Sequence, residues 1–235
     1  MKRVTISIFL LAGMFNFGFA QEQQVVEKLK SLGIPINFMD ESDDRVNYTF
    51  VCNQTNETTA PGAAPEITKR TYSYDPAGGE TKYKLNTING NTPSEKENLD
   101  FDKEQNGEDA DNVGNPDIKS LTFVSENENQ LVIGFRYRAK SLPKKYKFLK
   151  DCKGEVYIDK NTSHIEKIKF FNESNLKYKI FKITKLDMLQ ILKFMPGTST
   201  YVIEKEVLEM DIKYFGMIAK AVETNEYTNH IRCTN

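Results

Sequence analysis

The chain has 235 residues, of which 39% are hydrophobic, 28% charged and 11% aromatic, and its formal net charge is −1. This composition supports a packed core and excludes a wholly disordered chain, and the length suits one domain. The near-neutral balance argues against bulk attraction to nucleic acid, and two histidines (His164 and His230) with no tryptophan exclude His-rich metal sites.

Residues 1–20 read as a secretory signal peptide. Lys2 and Arg3 give a basic start, Ile6 to Phe15 is an almost continuous apolar run, and Gly18-Phe19-Ala20 places small residues before the cleavage point. The run is shorter than the roughly 20 residues a spanning helix needs. Cleavage before Gln21 leaves one expected domain, 21–235, and loss of Lys2 and Arg3 takes the net charge from −1 to −3. The expected location is periplasmic or secreted. No later segment is long and apolar enough to make the chain transmembrane.

In the mature chain, Val25, Val26, Leu29 and Leu32 have helical spacing, and Gly33 and Pro35 stop that helix. Strands dominate from there. Val46, Tyr48, Phe50 and Cys52 alternate along the first. Arg70 to Tyr74 and Thr81 to Ile88 form a hairpin through Asp75-Pro-Ala-Gly-Gly79. Thr92, Pro93 and Glu95 then predict a helix to about Gln105, with Thr92 as its cap. Residues 106–116 are polar and read as a loop.

Seven further strands are expected: Ser120 to Ser125, Gln130 to Ala139, Gly154 to Lys160, His164 to Phe171, Leu176 to Leu186, Tyr201 to Tyr214 and Ile218 to Cys233. Turns fall at Asp159 to Thr162, Asn172 to Asn175 and Phe194 to Ser199. The fold class is therefore mainly β, within α+β. About ten strands at about 4.8 Å spacing give a sheet more than about 40 Å wide, which must curl. A curved antiparallel meander forming an open half-barrel, with an N-terminal helix in its concavity and one inserted helix, fits this pattern. An outer-membrane barrel fits less well, because Lys167, Lys169, Lys177, Lys179 and Lys182 would load one strand face with charge.

Two charge runs stand out. Pro93 to Asp117 holds nine acids and two lysines, and Arg136 to Lys153 holds eight bases and one acid. Both fit solvated surfaces, and the second also fits a basic ridge (Arg136, Arg138, Lys144, Lys145, Lys147) facing anionic lipid or lipopolysaccharide. Cys52, Cys152 and Cys233 permit one disulfide and leave one thiol, or all three stay free. In a sequential meander Cys52 and Cys233 fall near opposite edges, so that a bridge would involve Cys152.

The motifs of nucleophile elbows, zincins, P-loops and dinucleotide folds do not occur. No catalytic residue, metal or cofactor is expected, and the chain is expected not to be an enzyme. Glu204/Glu206 and Glu209/Asp211 sit at strand period two and read as the solvated face of a strand. Glu108, Asp109 and Asp111 lack the spacing of a calcium loop. The aromatic residues Tyr48, Phe50, Phe135, Tyr137, Phe170 and Tyr178 read as core, with part of that stripe free to line a groove.

The stretch from Cys152 to Ile168 resembles a hairpin of the LolA-like superfamily of bacterial envelope proteins, the LolA/RseB-like half-barrels. Ile158-Asp159 ends one strand, Thr162 turns the chain, and Ile165 starts the next. The run Asn89 to Glu97, the long strand Tyr201 to Tyr214 and the terminal Tyr227 and Asn229 are similar too. The resemblance covers most of Val46 to Cys233. It implies a half-barrel around an apolar groove that holds acyl chains. Two readings follow: a lipid-binding protein with a lipid or lipoprotein acyl chain as partner, or an envelope protein-interaction module that uses a sheet edge and the basic ridge. A hydrolase is the least supported.

Overall fold

The computed structural model describes residues 21–34, 48–79, 81–105, 116–142 and 144–233. The expected leader, Val46, Glu108, Asp109 and Asp111 lie outside them. Residues 21–31 form helix α1. It ends at Gly33, whose φ of 71° makes the left-handed cap, and the Ile34 amide closes back onto the Leu29 carbonyl at 3.0 Å.

Among the described residues eleven strands follow: β1 (Tyr48–Thr59), β2 (Glu66–Tyr74), β3 (Tyr83–Ile88), β4 (Thr122–Glu126), β5 (Gln130–Phe135), β6 (Cys152–Asp159), β7 (His164–Asn172), β8 (Leu176–Tyr178), β9 (Phe181–Met195), β10 (Thr200–Tyr214) and β11 (Met217–Arg232). Helix α2 (Glu95–Gln105) lies between β3 and β4. All are in one antiparallel sheet of order β3-β2-β1-β11-β10-β9-β7-β6-β5-β4, with β8 paired on β9. The sheet does not close, and the fold is an open half-barrel.

The meander is permuted relative to a sequential one. β1 pairs with β11 along its whole length, so the first and last strands meet inside the sheet and the open edges are β3 and β4. This corrects the placement of the cysteines. Cys52 faces Tyr227 of β11 across one ladder, and Cys233 follows Arg232, which pairs with Tyr48 at the start of β1. All three cysteines are free, with Cys52 and Cys152 buried in different clusters. Burial pushes both thiols up to about 12, which keeps them protonated and unreactive.

Two local expectations shift. The α2 cap is Ser94, not Thr92: the Ser94 amide donates to Glu97 at 2.7 Å while the Glu97 amide donates to Ser94 Oγ at 3.3 Å. This is the capping box two residues further on. The expected strand Leu176 to Leu186 is two strands with a turn over Lys179 and Ile180, and the second continues to Met195.

Side-chain alternation sorts the sheet into two faces. Val25 and Leu29 of α1, fully buried, pack on Leu131, Ile133, Val156, Ile158, Ile168 and Phe170 of β5 to β7. Phe135 lies across Gly154, where an added Cβ would meet the ring at 2.1 Å, so only glycine fits under it. Lys28 of α1 and Lys160 both reach Glu126 at 2.7 Å and tie the helix to that end of the sheet. A second, aromatic cluster on β1 to β3 (Phe50, Cys52, Tyr72, Tyr74, Tyr83, Leu85) is covered by Phe101 of α2. The opposite face of β9 to β11 carries charge pairs, among them Lys193 with Glu204 at 3.2 Å and Lys205 with Glu226 at 2.9 Å.

Candidate functional site

Between the two covered clusters the concave face crosses β9, β10 and β11, which are 15 to 16 residues long. Their registers fix what faces inward. Met188 pairs with Leu208, Leu186 with Met210, and Ile183 with Ile212. Across the next ladder Met210 pairs with Ala221 and Ile212 with Ala219. Leu208 and Met210 touch the cluster under α1, which places this row on the concave side. Met188, Leu208, Met210 and Ile212 are all half-buried, unlike the sealed residues beneath α1. They form an apolar strip that the chain itself covers incompletely.

A polar ladder bounds one end of the strip. Arg70, Gln54, Asn225, Glu206 and Gln190 lie in register across β2, β1, β11, β10 and β9. Gln54 and Asn225 are buried, at 3% and 4% exposure. Gln190 donates to Glu206 at 2.7 Å, and the Asn225 amide donates to Glu223 at 2.9 Å and to Glu206 at 3.5 Å. Burial raises the Glu223 carboxyl above the usual range, with the nearby Glu206 charge acting the same way and the Asn225 amide opposing. Arg70 ends the row with Nη1 on Glu104 of α2 at 3.0 Å. The ladder supplies both donors and acceptors at the inner end of an apolar track.

Glu206 enters this row because of a β-bulge. The register slips between Ile203 and Lys205, so Glu204 turns outward to Lys193 while Glu206 turns inward. The two do not share the solvated face expected from period two. Glu209 and Asp211 do lie outward, Glu209 paired with Lys185.

The aromatic candidates fall elsewhere. Phe135, Tyr137 and Phe170 are buried in the cluster under α1, and Tyr48 and Phe50 are buried too, Phe50 in the aromatic cluster. Tyr178 is half-buried, its ring 5.2 Å from Phe148. Burial and the Glu206 charge push Tyr137 up to about 12, so it stays a neutral donor. His164 stacks on Phe194 at 3.8 Å, and burial lowers His230. Both histidines lie beside rings, with His230 6.1 Å from Phe50. No group of three metal-binding side chains occurs among the described residues.

Of the basic ridge, Arg136 reaches Glu173 at 2.6 Å and the Cys152 carbonyl at 3.1 Å, and Arg138 and Lys147 are exposed. The side chains of Lys144 and Lys145 lie outside the described part. Arg136, Lys147, Lys150, Lys177 and Lys179 outnumber Asp151 and Glu173 in the lining of a cleft of about 700 Å³, with Phe148, Leu176 and Tyr178 as its apolar part. The strip and ladder had no local signal in the sequence, since they join residues brought together only by strand register. Methionines and leucines at period two along one strand were the visible trace.

No family model and no curated protein matches the chain. Among solved structures it is similar to a LolA superfamily protein from Nitrosomonas europaea, at 12% identity over 92% of this chain and 94% of that one, TM-score 0.38. A DUF1329 family protein from Desulfovibrio piger matches at 9% identity over 89% and 94%, TM-score 0.35. The MucA/MucB complex of Pseudomonas aeruginosa matches at 8% identity over 82% and 93%, TM-score 0.21. Among the described residues no helix is long and apolar enough to cross a membrane.

Proposed function

We propose that this is an exported, non-enzymatic envelope protein that binds an acyl chain or another apolar ligand along the concave strip, with residues 1–20 serving as its export leader. One observation carries the reading. On one sheet face, the chain buries its apolar side chains under α1 and α2 yet leaves Met188, Leu208, Met210 and Ile212 half-covered. Folding alone gains nothing from leaving such a row wet, whereas an apolar ligand laid on it would complete the burial. Methionines suit the task because they adapt to chains of different shape. The ladder of Gln54, Asn225, Glu206 and Gln190 would meet the hydrogen-bonding head of such a ligand.

Native mass spectrometry of protein purified from its own host tests this. The expected result is a co-purifying lipid that is lost in Met210→Glu. An apo wild type that also fails to enhance the fluorescence of an apolar dye would count against the reading. A second reading, an envelope protein docking on the basic ridge, is favoured by the cleft that gathers Arg136, Lys147 and Lys150. Cross-linking in cells should then recover a partner that neutralising Lys144, Lys145 and Lys147 weakens. Unchanged recovery would remove the ridge as the contact.

A further inference from the structure

Two hairpin tips stand side by side at one end of the sheet. β8 and β9 turn over Lys179 and Ile180, and β10 and β11 turn over Phe215 and Gly216. Lys182 pairs with Lys177 on one side and with Lys213 on the other, which sets the tips on adjacent strands. The apolar side chains here face water: Phe215 is 84% exposed, Ile180 70% and Met217 55%. The rings form one run, with Phe181 5.1 Å from Tyr214 and Tyr214 4.3 Å from Phe215.

Local rules that favour stability are broken at this end. Phe215 and Gly216 have φ of 46° and 84°, the left-handed pair of a two-residue hairpin turn. Asparagine or aspartate is the usual first residue there, and an aromatic residue in that conformation is strained. Lys177, Lys182 and Lys213 lie directly opposite one another across three strands, and like charges so placed repel. Residues 176–183 and 212–220 together hold five lysines and no acid.

We propose that these two tips dock the protein on an anionic lipid bilayer, with Phe215 and Ile180 entering the acyl boundary and the lysines resting at the headgroups. Apart from Lys179, whose long side chain can reach back from the turn to the headgroups, the arrangement has the depth order a bilayer demands: apolar side chains at the apex, aromatic rings behind them, and cations on the flanks. A protein partner fits less well, because protein interfaces are depleted in lysine. The basic cleft continues the same surface, since Lys177, Tyr178 and Lys179 line it. Docking does not depend on what the concave strip holds.

Flotation of the mature protein with vesicles of phosphatidylethanolamine and phosphatidylglycerol tests this, with phosphatidylcholine vesicles as the neutral reference. The wild type should float with the anionic vesicles at low salt, and salt should weaken the binding. Phe215→Asn removes the apex while suiting the turn better, so it should lower partitioning about tenfold or more with the thermal midpoint unchanged or raised. Combined Lys177→Gln, Lys182→Gln and Lys213→Gln should abolish the preference for anionic vesicles. Wild type that stays out of the anionic vesicles, or Phe215→Asn that floats equally well, would overturn the proposal. Self-association of the wild type that Phe215→Asn abolishes, with no vesicle binding, would overturn it in favour of contact with a second copy.

Discussion

The half of the concave face under α1 and the long arm formed by β9 to β11 are built from the same alternating strands, yet they are finished differently. Under α1, two fully buried helix residues seal an aliphatic layer, and Phe135 closes over a glycine. Along the arm, Ile183 and Leu186 are buried, but Met188, Leu208, Met210 and Ile212 of the same face stop at half burial, between a buried polar ladder and exposed aromatic tips. The contrast separates residues sealed by the folded chain from residues that it leaves half-covered.

The largest expected effect lies on the sealed side. Leu29→Ala should cost about 2–5 kcal/mol in chemical denaturation, as a cavity in a rigid layer does. Met210→Ala on the arm should cost less than about 1.5 kcal/mol, because its side chain is already part-solvated. Equal losses at the two sites would erase the distinction.

Next in size is Gly154→Ala, which forces a methyl group into the Phe135 ring. A loss of about 1–3 kcal/mol is expected, and adding Phe135→Leu should recover part of it. Strict additivity in that double-mutant cycle would show that the two residues are not in contact.

A smaller effect should appear in the pH dependence of stability. The folded-state pKa of Glu223 is raised, chiefly by burial. Its contribution to stability is therefore whole below the ordinary carboxylate value and is lost as pH rises through the raised folded value. Glu223→Gln should flatten that decline in thermal midpoints measured across mildly acidic pH. A decline as steep as that of the wild type would place its cause outside the ladder.

Much of the architecture is legible in the sequence, because a sheet with one buried face writes its period into the chain. The strands β5, β6, β7, β10 and β11 follow from alternation, and α1 follows from Val25, Leu29 and its glycine stop. What alternation cannot carry is pairing between distant segments. β1 joins β11 through contacts separated by most of the chain, so the permuted strand order is invisible locally. A bulge is equally silent: the slip after Ile203 turns Glu206 into the concavity, where period two from Glu204 puts it outside. The strip inherits both blind spots, since it needs the register of three strands before Met188, Leu208 and Met210 come together. The cap at Ser94 shows a milder limit, because Thr92 and Ser94 each offer a hydroxyl with an acid three residues on, Glu95 and Glu97, and only the folded backbone selects the Ser94 pair.

The central claim is that the arm, rather than the sealed half, is where an apolar ligand lies. Methionine-methyl NMR with a spin-labelled acyl chain reads this directly, since Met188 and Met210 sit on the strip while Met195 closes β9 at the opposite end. The account predicts that titration broadens Met188 and Met210 first and leaves Met195 sharp. Uniform broadening, or none at saturating ligand, would contradict it.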